Sequence, residues 1–253
     1  MEGDKFQELV DIMRKLRVEC PWDKEQTHDS IKSATLEESY EVIEAIDNKD
    51  FQELKGELGD LLLHIVFHSV IGEDAKNFTL NEVIDEIKEK LIRRHPHVFG
   101  NVEVKDNNEI MKNWETIKLD EGRKSVLEGV PKNLPELHRA FRLQEKASKV
   151  GFDWQNKEDV WKKVIEETNE LLAAEKLNDK EKMENEMGDL FFSLINYSRF
   201  IGINPENALR RTTNKFVKRF GYIEKKLNET GKKITDSNLE EMDIYWEESK
   251  TIL

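Results

Sequence analysis

The stretches KGELGDLLLHIVFH (55–68) and ENEMGDLFFSLINY (184–197) share one pattern, in which a Glu, two further residues and an Asp precede a long apolar run. The likeness continues upstream without a gap, because a shift of 129 positions also superimposes TLEESYEVIEA (35–45) on VIEETNELLAA (164–174). Self-similarity at a fixed spacing is the signature of a duplicated structural unit. The sequence therefore predicts an internal repeat.

Further matches downstream keep the same order in both halves. KLIRR (90–94) corresponds to KFVKR (215–219), and WETIK (114–118) corresponds to WEESK (246–250). Between the two halves, GVPKNLPEL supplies one Gly and two Pro, which are typical of a connection. We therefore predict two tandem homologous domains, residues 1–126 and residues 127–253.

The composition favours an all-α fold. Charged residues make up 37% of the chain and there are only 12 Gly and 5 Pro, as in long solvated helices with one apolar stripe each. Each domain is predicted to be a helical hairpin followed by further helices, of the four-helix-bundle type. Asn204 and Pro205 predict one helix start, and Pro96 predicts an early helix end. The predicted helices span 30–46, 51–71, 80–94, 157–176, 180–200, 205–228 and 239–250.

The formal net charge of −13 argues against binding to nucleic-acid polymers or anionic membranes. A small phosphorylated ligand stays possible, because a metal ion and a few basic residues can reverse the sign of one cleft. Cys20 is the only cysteine, so no intrachain disulfide can form. The N-terminus does not resemble a signal peptide, and apolar runs fall short of the roughly 20 residues of a membrane helix. We expect a cytoplasmic protein.

The repeated acids predict a metal site in each half. Glu167 and Glu170 share one helix face, as do Glu186 and Asp189 on the next helix, and a hairpin can bring the pairs together. Clustered carboxylates need compensation, and oxygen-only ligands select Mg²⁺, with Mn²⁺ able to substitute. The first half carries the same set, namely Glu38, Glu41, Glu57 and Asp60. A single acidic pair is usually a solvated face, but two copies with identical spacing favour the metal site.

Basic and aromatic residues downstream fit a nucleotide. Lys215, Lys218 and Arg219 can form one cationic helix face for a polyphosphate, and Trp246 and Lys250 are four residues apart. Each signal alone is weak, since a basic run is usually solvated and a helical Trp is often part of the core.

A histidine pair in the first half offers an alternative metal site. His64 and His68 have the spacing of a Zn²⁺ pair. Ser193 and Tyr197 replace them in the second repeat, which favours a structural role for the two histidines.

The combination of EExxE, ExxD, KFxxR and WxxxK in tandem resembles the MazG family of nucleoside triphosphate pyrophosphohydrolases. CPWDKEQTHDSI (20–31) and VGFDW (150–154) are also similar to blocks of that family, and the likeness covers nearly the whole chain. The resemblance implies an all-α fold, a helical bundle completed by homodimerisation, and Mg²⁺-dependent hydrolysis of nucleoside triphosphates, ATP among them, to a monophosphate and pyrophosphate.

Carried over by position, the resemblance implies specific roles. The implied metal ligands are Glu167, Glu170, Glu186 and Asp189, with Glu38, Glu41, Glu57 and Asp60 in the first half. The implied substrate contacts are Lys163, Lys215, Lys218, Arg219, Trp246 and Lys250, with Arg94, Trp114 and Lys118 in the first half. The catalytic candidates are Glu166, Glu167 and Glu170.

Two points stay open within this assignment. Glu166 is a candidate general base, although its side chain points about 100° away from Glu167 around the helix. The first half has RRHPHVFG where the second has KRFGYIE. This difference concerns the predicted phosphate contacts, so we rank the second site as the main catalytic site.

Two other functions remain open. A nucleotide-sensing or scaffolding helical dimer would bind Mg²⁺ and a nucleoside triphosphate without turnover. A narrower enzyme would accept one deoxynucleotide, as in the related dimeric dUTPases. Stacking on Trp246 does not separate the bases, because every base has an aromatic face.

Overall fold

The computed structural model describes residues 2–252, apart from the side chains at positions 107, 108, 112, 115 and 119. These residues form helices joined by turns, and none of those described lies in a strand. The predicted all-α class is confirmed. The chain divides into two compact units, Met1–Glu103 and Val104–Leu253. That division falls before the predicted homology boundary at 126/127, which stays a prediction.

The first unit is built around one long hairpin. Its helices are α1 (Glu2–Glu19), α2 (Pro21–Glu25), α3 (His28–Asn48), α4 (Phe51–Asp74), α5 (Leu80–Arg94) and α6 (Pro96–Phe99). Helices α3 and α4 pack along each other, and α1 packs on α4. The break before Pro96 occurs where the sequence predicted it.

The second unit repeats the hairpin and extends it. Its helices are α7 (Asn107–Asp120), α8 (Glu136–Lys149), α9 (Lys157–Leu177), α10 (Lys180–Phe200), α11 (Pro205–Glu229) and α12 (Leu239–Ile252), with a 3₁₀ turn at Ile234–Asp236. Helices α9 and α10 form the hairpin, while α8 packs on α10 and α11, and α12 packs on α11.

The two hairpins turn in the same way. Lys49 and Asn178, which are 129 positions apart, adopt left-handed conformations with φ of 57° and 53° and end α3 and α9. The next residues, Asp50 and Asp179, accept backbone N–H groups from the first turns of α4 and α10 at 3.0 and 3.1 Å. Aspartate is a favoured N-cap because its carboxylate satisfies amides that have no helical partner. Equal turns place the later residues of both hairpins in the same register.

Each unit has its own buried core. In the first unit the core cluster consists of Val10, Met13, Ile31, Val66, Phe67, Val70, Ile71 and Leu80. Buried apolar residues of the second unit are Val160, Val164, Ala174, Ile195, Ile223 and Leu227. In the part of the chain that the structure describes, no helix has both the length and the apolar character needed to cross a membrane.

Candidate functional site

Each hairpin brings its two acidic faces together. Helix α3 carries Glu38 and Glu41, and α4 carries Glu57 and Asp60. One carboxylate oxygen from each of Glu38, Glu41 and Glu57 lies within 4.8 Å of the other two. Burial raises the pKa of Glu38 and of Glu57, and the charges of Glu41 and then Asp60 raise both pKa values further. All four predicted acids of the first unit therefore act on one another.

The second hairpin gathers the equivalent acids in a slightly different arrangement. Here Glu167, Glu186 and Asp189 each offer an oxygen within 4.8 Å of the other two. Burial raises the pKa of Glu186, and the charge of Glu170 is the next cause that raises it. Glu167 is only 5% exposed. The structure thus brings the four predicted acids together in this unit also.

The chemistry of these oxygens fits a hard divalent cation. Carboxylates that raise one another's pKa resist full ionisation, and a cation among them removes that repulsion. Both groups consist of glutamate and aspartate alone, without histidine or cysteine. Oxygen donors of this kind suit Mg²⁺ or Mn²⁺ better than Zn²⁺.

In the second unit an internal cation already touches the acids. The Nζ atom of Lys163 lies 2.8 Å from Glu166 Oε1 and 2.6 Å from Glu167 Oε1. The hydrogen bond to Glu166 and then the one to Glu167 raise the pKa of Lys163, so it stays charged. The candidate base Glu166 therefore lies in an ion pair. The residue 129 positions earlier is Ala34, so the first repeat has no equivalent ammonium group.

In the first unit a network of histidines, instead of a lysine, lies beside the acids. Thr35 Oγ1 donates to a backbone carbonyl one turn earlier and lies 2.9 Å from His64 Nδ1 and 3.0 Å from His68 Nε2. A hydroxyl has one proton, so both ring nitrogens must donate to Thr35. Nε2 of His64 then faces Glu38 Oε1 at 3.9 Å, and Nδ1 of His68 accepts from His28 at 2.9 Å. These hydrogen bonds favour the structural interpretation of the histidines over a Zn²⁺ pair.

Apart from Lys163, the predicted nucleotide contacts of the second unit lie on α11 and α12. The Arg219 guanidinium lies 5.5 Å from the centre of the Trp246 ring, and Phe216 lies 5.5 Å from the same ring. Lys215 and Lys218 are exposed on α11, while Lys250 pairs with Glu247. Among the described residues, no hydrogen bond or ion pair joins Arg219 or Trp246 to the acids of α9 and α10.

The predicted contacts of the first half fall in both units. Arg94 is the last residue of α5 and belongs to the first unit, whereas Trp114 and Lys118 lie on α7 in the second. The Lys118 Nζ atom lies 5.6 Å from the centre of the ring of Trp114, which is four residues earlier. Their roles stay predictions.

Sequence reasoning missed a large cavity in the second unit. It has a volume of about 850 Å³ and borders Glu167 and Asp189, and its walls include Gln144, Trp154 and Asn196. One signal was available: Asn196 stands 129 positions after Phe67, so a polar side chain replaces a buried apolar one within the repeat. The position of Gln144 on α8 has no such signal, because it depends on how α8 packs.

Comparisons with known proteins agree with two tandem copies of one domain. A family model described as the MazG nucleotide pyrophosphohydrolase domain matches residues 26–99 and again residues 155–222. The nucleoside triphosphate pyrophosphohydrolase/pyrophosphatase MazG of Thermotoga maritima is 46% identical over 253 residues, which cover 98% of this chain and 96% of that protein. A nucleoside triphosphate pyrophosphohydrolase of Escherichia coli K12 is 40% identical over 98% of this chain and 97% of its own. The uncharacterised protein YabN of Bacillus subtilis is 46% identical over 97% of this chain, which spans about half (52%) of that protein.

Proposed function

The chain belongs to the MazG nucleotide pyrophosphohydrolase family, and on that premise we propose that it hydrolyses nucleoside triphosphates between the α- and β-phosphates, releasing a nucleoside monophosphate and pyrophosphate. The observation that carries this proposal is the pair of carboxylate clusters, one in each hairpin, with three oxygens in each close enough to share one ion. We propose Mg²⁺ as that ion, with Mn²⁺ as a substitute.

The acids and Lys163 of the second unit have different proposed roles. A bound divalent cation would neutralise the triphosphate and stabilise the attacking and departing oxygens of an in-line displacement. In the second unit Glu167, Glu170, Glu186 and Asp189 would hold and orient it. The Lys163 ammonium group, which is already at the cluster, would contact a phosphate oxygen of the substrate.

Phosphate contacts and proton transfer come from other side chains. We propose Lys215, Lys218 and Arg219 as triphosphate contacts and Trp246 and Lys250 as further nucleotide contacts. The Nε atom of Arg219 is buried without a hydrogen-bond partner, which leaves this donor for an anionic ligand. A carboxylate takes the proton of the attacking water. Glu166 and the cluster acids Glu167 and Glu170 are the candidates for that role.

We propose that the second unit carries most of the turnover. Its acids border a cavity of about 850 Å³, against about 190 Å³ for the pocket beside α3 and α4. Lys163 is present there and Ala34 replaces it in the first repeat. In addition, α11 continues past its basic residues to Glu229, whereas α5 ends at Arg94.

We also propose that the protein is a homodimer. Each hairpin leaves a row of large apolar side chains exposed, with one helical spacing in both units. The two rows correspond under the shift of 129 positions. They are Leu36, Leu58, Leu62 and Ile65 in the first unit, and Ile165, Met187, Phe191 and Leu194 in the second. Large apolar side chains exposed at equivalent positions of both hairpins support an interaction site. Light scattering should give twice the chain mass of 29.8 kDa, and the chain mass itself would contradict the proposal.

A pyrophosphate-release assay tests the proposed activity. The wild type is assayed with all eight common ribo- and deoxyribonucleoside triphosphates in Mg²⁺, in Mn²⁺ and in EDTA. Glu170→Gln should lower kcat at least about a hundredfold, because loss of outer partners of metal ligands alone costs about 10–100-fold. Glu41→Gln should change kcat little, and Glu158→Gln, at an exposed position, is the matched control. Release of orthophosphate instead of pyrophosphate, or full activity in EDTA, would reject the proposal.

A further inference from the structure

We propose that the cavity of the second unit is a nucleobase pocket, in which Gln144 accepts a hydrogen bond from an N–H group of the base and Asn196 donates one to a ring or carbonyl acceptor. This inference rests on the proposed function, since it places the triphosphate at the acids. It adds the part of the molecule that distinguishes one nucleotide from another.

The position of the cavity fits the shape of a nucleotide. One wall is formed by Glu167 and Asp189, where the phosphates would lie. We place the nucleoside attached to those phosphates in the cavity. Its volume of about 850 Å³ falls within the usual range for small-molecule pockets, which is about 300–1,000 Å³.

Gln144 presents a fixed and unpaired acceptor. Its side chain on α8 is buried, with 8% of the residue exposed. Nε2 donates to the Phe192 carbonyl oxygen at 2.8 Å, which sets the orientation of the amide. Oε1 is buried and has no hydrogen-bond partner. Buried acceptors are nearly always paired, so this oxygen requires a partner, and we assign that partner to the ligand.

Asn196 presents fixed donors in the same cavity. Its Oδ1 accepts from Arg199 Nε at 3.1 Å and from Arg199 Nη2 at 2.9 Å. Arg199 is itself held by Asp153, with Nη1 at 2.9 Å from Oδ2. Because the oxygen of Asn196 is engaged, its NH₂ group is the part left for a ligand. A heteroaromatic base carries both an N–H donor and a nearby acceptor, and thus matches this pair.

Aromatic side chains at the same cavity supply a stacking surface. Phe152 and Trp154 line it and are 84% and 46% exposed. The Arg199–Asp153 ion pair ties the segment that carries them to α10. Trp246, which the sequence suggested for the base, instead has Phe216 and Arg219 against its ring. The inference moves the base from Trp246 to this cavity.

The first unit serves as an internal comparison. Its equivalent pocket has a volume of about 190 Å³ and is lined by Met13 and Phe67, among others. Phe67 stands at the repeat position of Asn196 and is 5% exposed. A phenyl ring thus fills the space where the second unit offers an amide, so base recognition is assigned to the second unit.

Asn196→Asp is the sharpest test of the pocket. The carboxylate keeps the acceptor for Arg199, and with it the local fold, but it has lost both N–H donors. We expect kcat/KM for nucleoside triphosphates to fall about 10–100-fold, because an unpaired polar contact in a specific site discriminates at least this strongly. Inorganic tripolyphosphate, which has no base, should inhibit wild type and variant with the same Ki. Asn228→Asp makes the same change on the exposed end of α11 and should leave all constants unchanged.

Gln144→Leu is the second variant, and a binding measurement removes the dependence on turnover. Calorimetry compares AMP, CMP, GMP and UMP with ribose 5-phosphate in Mg²⁺. Wild type should bind at least one monophosphate about tenfold more tightly than ribose 5-phosphate, and each variant should remove that difference.

The outcomes separate the two proposals. A wild type that discriminates among these ligands but does not hydrolyse triphosphates would reject the proposed function and keep the base pocket. Suppose that the wild type hydrolyses triphosphates, and that both variants lose affinity for tripolyphosphate and nucleotides equally or lose none. That result would reject the base pocket alone.

Discussion

Lys163 gives the most specific prediction about the candidate metal site. Its ammonium group lies 2.6 Å from Glu167, where a divalent cation is proposed to bind, so the two cations compete for one carboxylate. In Lys163→Met the competitor is absent, and the metal-free cluster should bind Mg²⁺ or Mn²⁺ more tightly. Turnover should nevertheless fall, because the same side chain is proposed to contact a phosphate oxygen of the substrate.

The magnitude follows from the exposure of the pair. Exposed ion pairs contribute about 0.2–1 kcal/mol. The side chains of Lys163 and Glu167 are 38% and 6% exposed, which puts this pair near the upper end, about 1 kcal/mol. With 1.36 kcal/mol for each factor of ten, this corresponds to about fivefold in metal affinity. Glu167 would also be left without a partner, and the unfolding midpoint of the metal-free variant should fall by about 2–4 °C.

Calorimetry with Mg²⁺ and electron paramagnetic resonance of free Mn²⁺ measure the affinity. Both are done in a Glu57→Gln background, so that the second cluster dominates the titration. Lys162→Met is the matched control, because Lys162 pairs with Asp159 at 2.8 Å and is 77% exposed. A dissociation constant for Lys163→Met that equals or exceeds that of the control would refute the competition between ammonium and metal.

Two further predictions concern stability. The pKa of Glu186 is raised from 4.5 by burial and then by Glu170, so the fold favours its protonated form. The contribution of protonated Glu186 to the free energy of unfolding is fully present below about pH 4.5. It is lost as pH rises through the raised pKa. In EDTA at pH 7, Glu186→Gln should therefore have a higher melting temperature than the wild type. Below the pKa of the unfolded state the two melting temperatures should be equal. Calorimetric scans check this, and a variant that melts lower at pH 7 would contradict it. Leu227 is 0% exposed. Leu227→Ala should therefore lower the free energy of unfolding by about 2–5 kcal/mol without changing the Mg²⁺ affinity. Denaturant unfolding and metal titration measure the two quantities, and a weakened metal site would show that this core residue supports the cluster.

The hairpins could be predicted because their signals are local. The predicted helices 180–200 and 205–228 correspond to α10 (Lys180–Phe200) and α11 (Pro205–Glu229). The Asn204 side chain accepts the backbone N–H of Asn207 at 3.0 Å, as an N-cap before Pro205 should. Helices α1 and α8 were not among the predicted elements. Their role is to cover the hairpins, and the sequence around them carries no repeat signal of comparable strength.

The acids followed from spacing, whereas their neighbours on other helices did not. Residues three or four apart on one helix meet, which explains why Glu167 and Lys163 contact each other and why Lys118 lies over Trp114. The contact of Arg219, from α11, with the Trp246 ring does not follow from this rule. A contact between helices depends on their rotation and separation, which the spacing within either helix does not determine.

The two repeats show which parts of the site depend on features that both hairpins share. An αL residue and an Asp N-cap set the register of both hairpins, and both gather their acids with oxygens within 4.8 Å. The parts that differ are other positions on the same hairpin helices: His64 near Glu38 or Lys163 on Glu167, and Phe67 or Asn196 in the cavity wall. Changes at those positions leave the turn and the acids untouched. A duplicated hairpin of this kind can therefore keep its cation-binding geometry in both copies while only one copy retains a cavity for a nucleobase.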